Sequence, residues 1–218
     1  MRRPWIAALL AGAPAPALAH DAFGDLGPFY GSLLHPLADP LQGALVVGTA
    51  AFLARRPLAT VRVALPVFLA TAALSQVLLA ERLGLVAPSL LLAAAAIVVG
   101  GAATLADRWV PAWSGILLVA AIGALVSLAA DRPTVGGAAL QPVLGAILGI
   151  AIFVTLVWAM LDALARRVSP VAPAVAGSWV AAAGMLIGAF SLQPAPESVS
   201  DARLETALES PAPEGREP

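Results

Sequence analysis

Residues His20 to Gln42 read HDAFGDLGPFYGSLLHPLADPLQ, and this stretch determines where the first long helix of the chain begins. It holds both histidines of the protein and three of its acids, whereas most of the remaining sequence is apolar. Pro36 and Pro40 lie close to His35, and each lacks the N–H that a helix interior needs. We therefore expect any ion or chemical step to be handled here.

The first membrane span must include part of this stretch. A helix over residues 40–54 alone would be about 22 Å long, which is shorter than the hydrocarbon core of about 30 Å. We therefore expect the helix, or a tight turn leading into it, to begin near Ser32, with both prolines inside it. His35, Asp39 and Gln42 then lie at i, i+4 and i+7 on one helix face, beside two carbonyls that the prolines leave unpaired.

The composition is that of a multi-span membrane protein. The chain is 60% hydrophobic and 11% charged, with a mean hydropathy of +0.91, whereas soluble domains carry about a quarter charged residues. The formal net charge of -1 argues against nucleic-acid binding, which usually requires a basic surface. The absence of cysteine excludes thiolate sites, and no GxSxG, Walker, Rossmann or zincin motif occurs. We expect no enzymatic activity.

The sequence divides into three segments. Residues 1–19 resemble a signal peptide, with Arg2 and Arg3, a short apolar run and an A-x-A site at its end; an uncleaved anchor is the alternative. Cleavage would make His20 the N-terminus, whose amine and imidazole form a ready metal chelate. Residues 20–192 are the transmembrane domain, and residues 193–218 are an acidic, proline-rich tail that we expect to be disordered.

Five further apolar runs follow the first span, which predicts an all-α bundle of six transmembrane helices in the lipid bilayer. They lie at about Arg62–Leu79, Val86–Ala106, Trp113–Ala130, Leu140–Ala165 and Val171–Leu192. Two GxxxG pairs, Gly145 with Gly149 and Gly184 with Gly188, predict close helix packing.

Arginine placement predicts the orientation of these spans. With the mature N-terminus outside, six loop arginines fall on one side, against only Arg82 and Arg132 on the other. Positive charge favours the cytoplasm. We therefore expect both mature termini to lie on the outer, non-cytoplasmic side of the membrane.

The candidate metal ligands are His35, Asp39, His20 and Gln42. Two histidines cannot complete a transition-metal site, so carboxylate or amide oxygens would have to fill it, and such a mixed set suits nickel, copper or zinc. The alternative is that His35 only holds the kink, bonded to Asp39 or to a free carbonyl. Intramembrane polar residues elsewhere are also candidates for function or for interhelical bonds; they are Ser75, Gln76, Ser127, Gln141 and Thr155, of which Gln141 could face His35.

The segment GPFYGSLLHPL, residues 27–37, following a signal that ends Ala-Leu-Ala-His, resembles the start of the HupE/UreJ family. The resemblance implies a small bacterial inner-membrane protein with a cleaved signal, about six spans and a His-Pro motif opening the first span. The nickel-linked family pattern has an Asp-His pair where this chain has Leu41 and Gln42.

The resemblance also implies a function. A metal-ion permease or metal-supply accessory is expected first, with nickel as the first candidate cargo. The alternative is a non-transporting membrane scaffold or assembly factor for a metalloenzyme partner in the membrane or periplasm.

Overall fold

The computed structural model describes residues 26–81, 83–105, 109–129 and 140–193, and within these ranges the chain is helical with no strand. The all-α prediction is confirmed for this part of the chain. The predicted signal peptide and all but the first residue of the predicted tail lie outside it. The helices are α1 (Gly27–Ala38), α2 (Pro40–Ala54), α3 (Leu58–Ser75) with a π-helical continuation (Gln76–Glu81), α4 (Ser89–Thr104), α5 (Ala112–Val126), α6 (Leu140–Arg167) and α7 (Ala172–Ser191).

Three of the described helices are long and apolar enough to cross a membrane: Leu58–Ala80, α6 and α7. The bent pair α1 and α2 makes a fourth span if it crosses as one unit. Helices α4 and α5 have 16 and 15 residues, or about 24 and 22 Å, which is short for a core of about 30 Å. Helix α4 lies within a predicted apolar run, and α5 begins one residue before another. The chain is thus a helical membrane protein, and its six spans remain a prediction.

The first span differs from the predicted kinked helix. Helix α1 begins at Gly27, earlier than Ser32, and the chain bends by 70° between α1 and α2. Asp39 is extended at the break, with φ −90° and ψ 113°. Pro36 lies inside α1, but the prediction that Pro40 also lies inside a helix is wrong, because Pro40 begins α2. A proline at the first helical position loses no hydrogen bond.

Helix α2 is the centre of the bundle and contacts each of the other described helices. Leu45, Ala50 and Leu53 on this helix are all 0% exposed. Apolar residues lie on most sides of this helix, so it is stable only when other helices surround it, and α2 meets that condition.

Glycines allow the peripheral helices to approach closely, as the GxxxG pairs predict. At Gly145 and Gly149 of α6, an added Cβ would fall on the carbonyl oxygens of Phe29 and Leu33 in α1. At Gly184 of α7, a Cβ would lie 2.8 Å from the Ala93 carbonyl oxygen of α4. In lipid, where water does not drive helices together, such close backbone contact supplies much of the attraction.

The bundle has two distinct ends. At one, the Arg55 end, the Arg55 and Arg56 guanidinium groups donate to the carbonyl oxygens of Leu105 and Val110 at 3.4 and 3.1 Å. The other, the His35 end, holds the α1–α2 break and the last turn of α5. The described arginines all belong to helix ends at the Arg55 end; they are Arg55, Arg56, Arg62, Arg166 and Arg167.

Candidate functional site

The break between α1 and α2 brings His35 against Gln42. The Asp39 carboxylate accepts the Gln42 backbone N–H at 2.8 Å and so caps α2. Gly43 leaves room for the Pro36 carbonyl, since a Cβ there would lie 2.8 Å from that oxygen. Across the break, His35 Nδ1 lies 3.0 Å from Gln42 Oε1. Of the three residues predicted to share a face, His35 and Gln42 meet directly, while Asp39 holds the turn between them.

The Gln42 carboxamide has a defined orientation, and it fixes the proton on His35. Gln42 Nε2 donates to the Val126 carbonyl oxygen of α5 at 2.9 Å. A carbonyl can only accept, so the amide nitrogen must face Val126 and the amide oxygen must face His35. That oxygen in turn requires Nδ1 of His35 to carry the proton. In a neutral ring the lone pair is then on Nε2, the atom that a metal ion or a proton would bind.

Gln42 also belongs to a group of buried polar contacts around the last turn of α5. The final carbonyls of a helix have no partner within it, and in a membrane they must be satisfied from outside. The Ser75 hydroxyl donates to the Ala124 carbonyl oxygen at 2.7 Å, and the Gln42 amide donates to the Val126 carbonyl oxygen. Beyond the helix, the Ala87 N–H donates to Leu128 O at 2.9 Å. Side chains from α2 and α3 therefore allow α5 to end inside the bundle.

Helices α3 and α5 are linked in both directions at this level. The Ser127 hydroxyl, at the end of α5, donates to the Ala72 carbonyl oxygen of α3 at 2.8 Å. Gln76 is 0% exposed where α3 passes into its π-helical turn, and such turns occur frequently at functional sites. The sequence identified Ser75, Gln76 and Ser127 as intramembrane polar residues, and the structure brings Ser75 and Ser127 together across one interface.

The remaining predicted residues are distributed differently. Gln141 is exposed and lines a shallow groove with residues 26–30 at the start of α1, so it does not join His35. His20 lies outside the described residues. Within the described ranges, no three His, Asp or Glu side chains come close enough to hold a metal ion together.

One buried polar residue was missed by the sequence reasoning. Thr49 lies in the middle of α2, is 0% exposed, and its Oγ1 has no hydrogen-bond partner in the described part of the chain. The available signal was spacing, because Thr49 follows Gln42 by seven residues as Gln42 follows His35. The residue type alone is a weak signal, because a single threonine in an apolar run can bond to a carbonyl of its own helix.

No protein-family model, no curated protein and no solved structure matches this chain.

Proposed function

We propose that this chain is a HupE/UreJ-like protein of the bacterial inner membrane that acts as a metal-ion permease or metal-supply accessory, with nickel as the first candidate cargo. The observation that carries the proposal is the contact between His35 Nδ1 and Gln42 Oε1. Metal-binding histidines typically donate their second ring N–H to an oxygen, which fixes the ring for coordination. His35 is held in this way at the end of the bundle where a cargo from outside would arrive.

The proposed ligand set combines the bundle with the segment that precedes it. His35 would supply Nε2, and Gln42 would orient it. His20, as the mature N-terminus, would add an amine and an imidazole, and Asp39 a carboxylate that now caps α2. Imidazole and oxygen donors together suit nickel, copper or zinc. Among these divalent ions, copper generally binds such donors most tightly.

The proposed topology has six spans after a cleaved signal peptide, with both mature termini periplasmic. The clustering of the described arginines at the Arg55 end supports it, because positive charge is retained on the cytoplasmic side. The His35 end would then face the periplasm, which agrees with a site that collects an ion from that compartment.

A second candidate is a non-transporting scaffold or assembly factor for a membrane metalloenzyme. Two observations favour it: the described residues bring no three metal-binding side chains together, and the turn of α2 that follows Gln42 is apolar. Leu45 and Val46 there are at most 2% exposed. Under this candidate His35 and Gln42 would only close the turn.

Metal binding and stability measured on the same variants separate these candidates. The full chain would be purified in detergent and titrated with Ni²⁺, Cu²⁺ and Zn²⁺, as wild type and as His35→Ala. Asp162→Asn is the matched control, because this acid pairs with Arg166 near the end of α6. The permease or supply proposal expects His35→Ala to abolish binding and the control to retain it. A His35→Ala protein that is less stable but binds metal as before would refute the proposal.

A further inference from the structure

Thr49 is an unsatisfied polar group in the interior of the bundle. Its side chain is 0% exposed, and Oγ1 has no hydrogen-bond partner in the described residues. Thr71 of α3, by contrast, donates to Val67 O of its own helix at 2.9 Å. A buried hydroxyl without a hydrogen-bond partner is unfavourable, and a bound water molecule or ion is one of the explanations for such a group.

Thr49 belongs to a line of polar residues along one side of the first span. His35, Gln42, Thr49 and Arg56 follow one another at intervals of seven, and seven residues return a helix to nearly the same face, within about 20°. His35 joins the line across the break through its contact with Gln42. The line runs from the His35 end of the bundle to the Arg55 end.

The neighbour of this line is α5. Gln42 donates to Val126 at one end of α5, and Arg56 donates to Val110 just before its other end. Phe52, three residues after Thr49, fits against Gly115 of α5, where a Cβ would lie 3.0 Å from the ring. Helical spacing places Thr49 between these residues on the face of α2 that carries the contacts with α5.

Apolar side chains close the line above and below Thr49. Leu45 and Val46 separate it from Gln42, and Phe52 lies between it and Arg56; all three are at most 2% exposed. The Arg56 guanidinium lies 4.3 Å from the centre of the Phe52 ring. Successive polar positions are about 10 Å apart along α2, so water would have to enter between the apolar turns to connect them.

We propose that the α2–α5 interface is a water path leading inward from His35, and that Thr49 Oγ1 is its midpoint, where a water molecule of a hydrated cation binds. The path is closed in this conformation by Leu45 and Val46 on the His35 side and by Phe52 with Arg56 on the other. This inference rests on the permease form of the proposed function, because a protein that only scaffolds a partner has no need of an inward path.

The chain has no cysteine, so a single introduced thiol reports water access without background. Thr49→Cys in membrane vesicles would be treated with a cationic, membrane-impermeant methanethiosulfonate reagent. The control is Ala51→Cys, which is equally buried at 0% and lies about 200° away around α2. We expect loss of the free thiol at position 49 and its retention at position 51. Retention at both positions, or loss at both, would overturn the proposal.

A second variant tests the hydroxyl itself. If Oγ1 is dry, Thr49→Val removes an unpaired polar group and raises the melting temperature. If Oγ1 holds a water molecule, the valine variant has a lower melting temperature, because that water molecule loses its hydrogen bond to the hydroxyl and contacts a methyl group instead. A rise would overturn the proposal.

The thiol experiment is repeated in a His35→Ala background. If position 49 is still modified in a protein that binds no metal, the result supports the water path independently of the cargo. Intact nickel binding at His35 with an unreactive position 49 removes the path and leaves the metal proposal standing.

Discussion

Replacing Gln42 by leucine tests the central contact of the site. The side chain is 1% exposed and makes two hydrogen bonds, to His35 and to the Val126 carbonyl. Hydrogen bonds between membrane helices contribute about 0.6 kcal/mol on average and up to about 1.7 kcal/mol. Losing both should therefore lower the free energy of unfolding by about 1–3 kcal/mol. The additional apolar burial of leucine offsets part of that loss.

The assay is reversible unfolding in mixed micelles titrated with SDS and followed by tryptophan fluorescence. Gln141→Leu is the matched control, since Gln141 is exposed at the start of α6; surface changes of this kind stay within about 0.5 kcal/mol. The double variant with His35→Ala isolates the single bond between the two side chains, with an expected coupling of about 0.6–1.7 kcal/mol.

Two results would contradict a stabilising contact between His35 and Gln42. One is a Gln42→Leu protein that loses no more stability than the Gln141→Leu control. The other is a coupling of zero between His35 and Gln42, since their contact would then contribute nothing and could not fix the ring. A stable Gln42→Leu protein would also remove the reason for placing the lone pair of His35 on Nε2.

Three further predictions concern packing, the break and topology. Gly149→Ala should destabilise the bundle by about 1–3 kcal/mol, because the new Cβ falls on the Leu33 carbonyl. Gly101→Ala, where a Cβ meets nothing within 4 Å, should be neutral or stabilising. Equal melting temperatures for the two variants would contradict this prediction. Asp39→Ala should cost about 0.5–2 kcal/mol through loss of the α2 cap, and Asp39→Asn much less; equal losses in SDS unfolding would mean that the cap is unimportant. A reporter enzyme fused after Arg167 should be active in the cytoplasm, and one fused to the tail should be periplasmic; a cytoplasmic tail would exclude the six-span topology.

The apolar pattern of the sequence predicts a helical membrane protein and the approximate positions of the helices after the first span. Hydropathy is local, so every described helix after the first falls on a predicted apolar run. The polar residues that matter inside a membrane were equally visible, because each one is costly in lipid and therefore rare. Their rarity alone identifies Gln42, Ser75, Gln76 and Ser127 as residues of interest.

The construction of the first span, and the role of its polar residues, depend on contacts between distant parts of the chain. The sequence shows where prolines interrupt a helix but not whether the chain kinks or breaks there. The outcome depends on which groups bond to the backbone atoms that the prolines leave unpaired. Here Asp39 caps a new helix, and Gly43 admits the Pro36 carbonyl, so a 70° break is accommodated. The bond from Gln42 to Val126 joins residues 84 positions apart. No local pattern contains it, and it is this bond that orients the amide and, through it, His35.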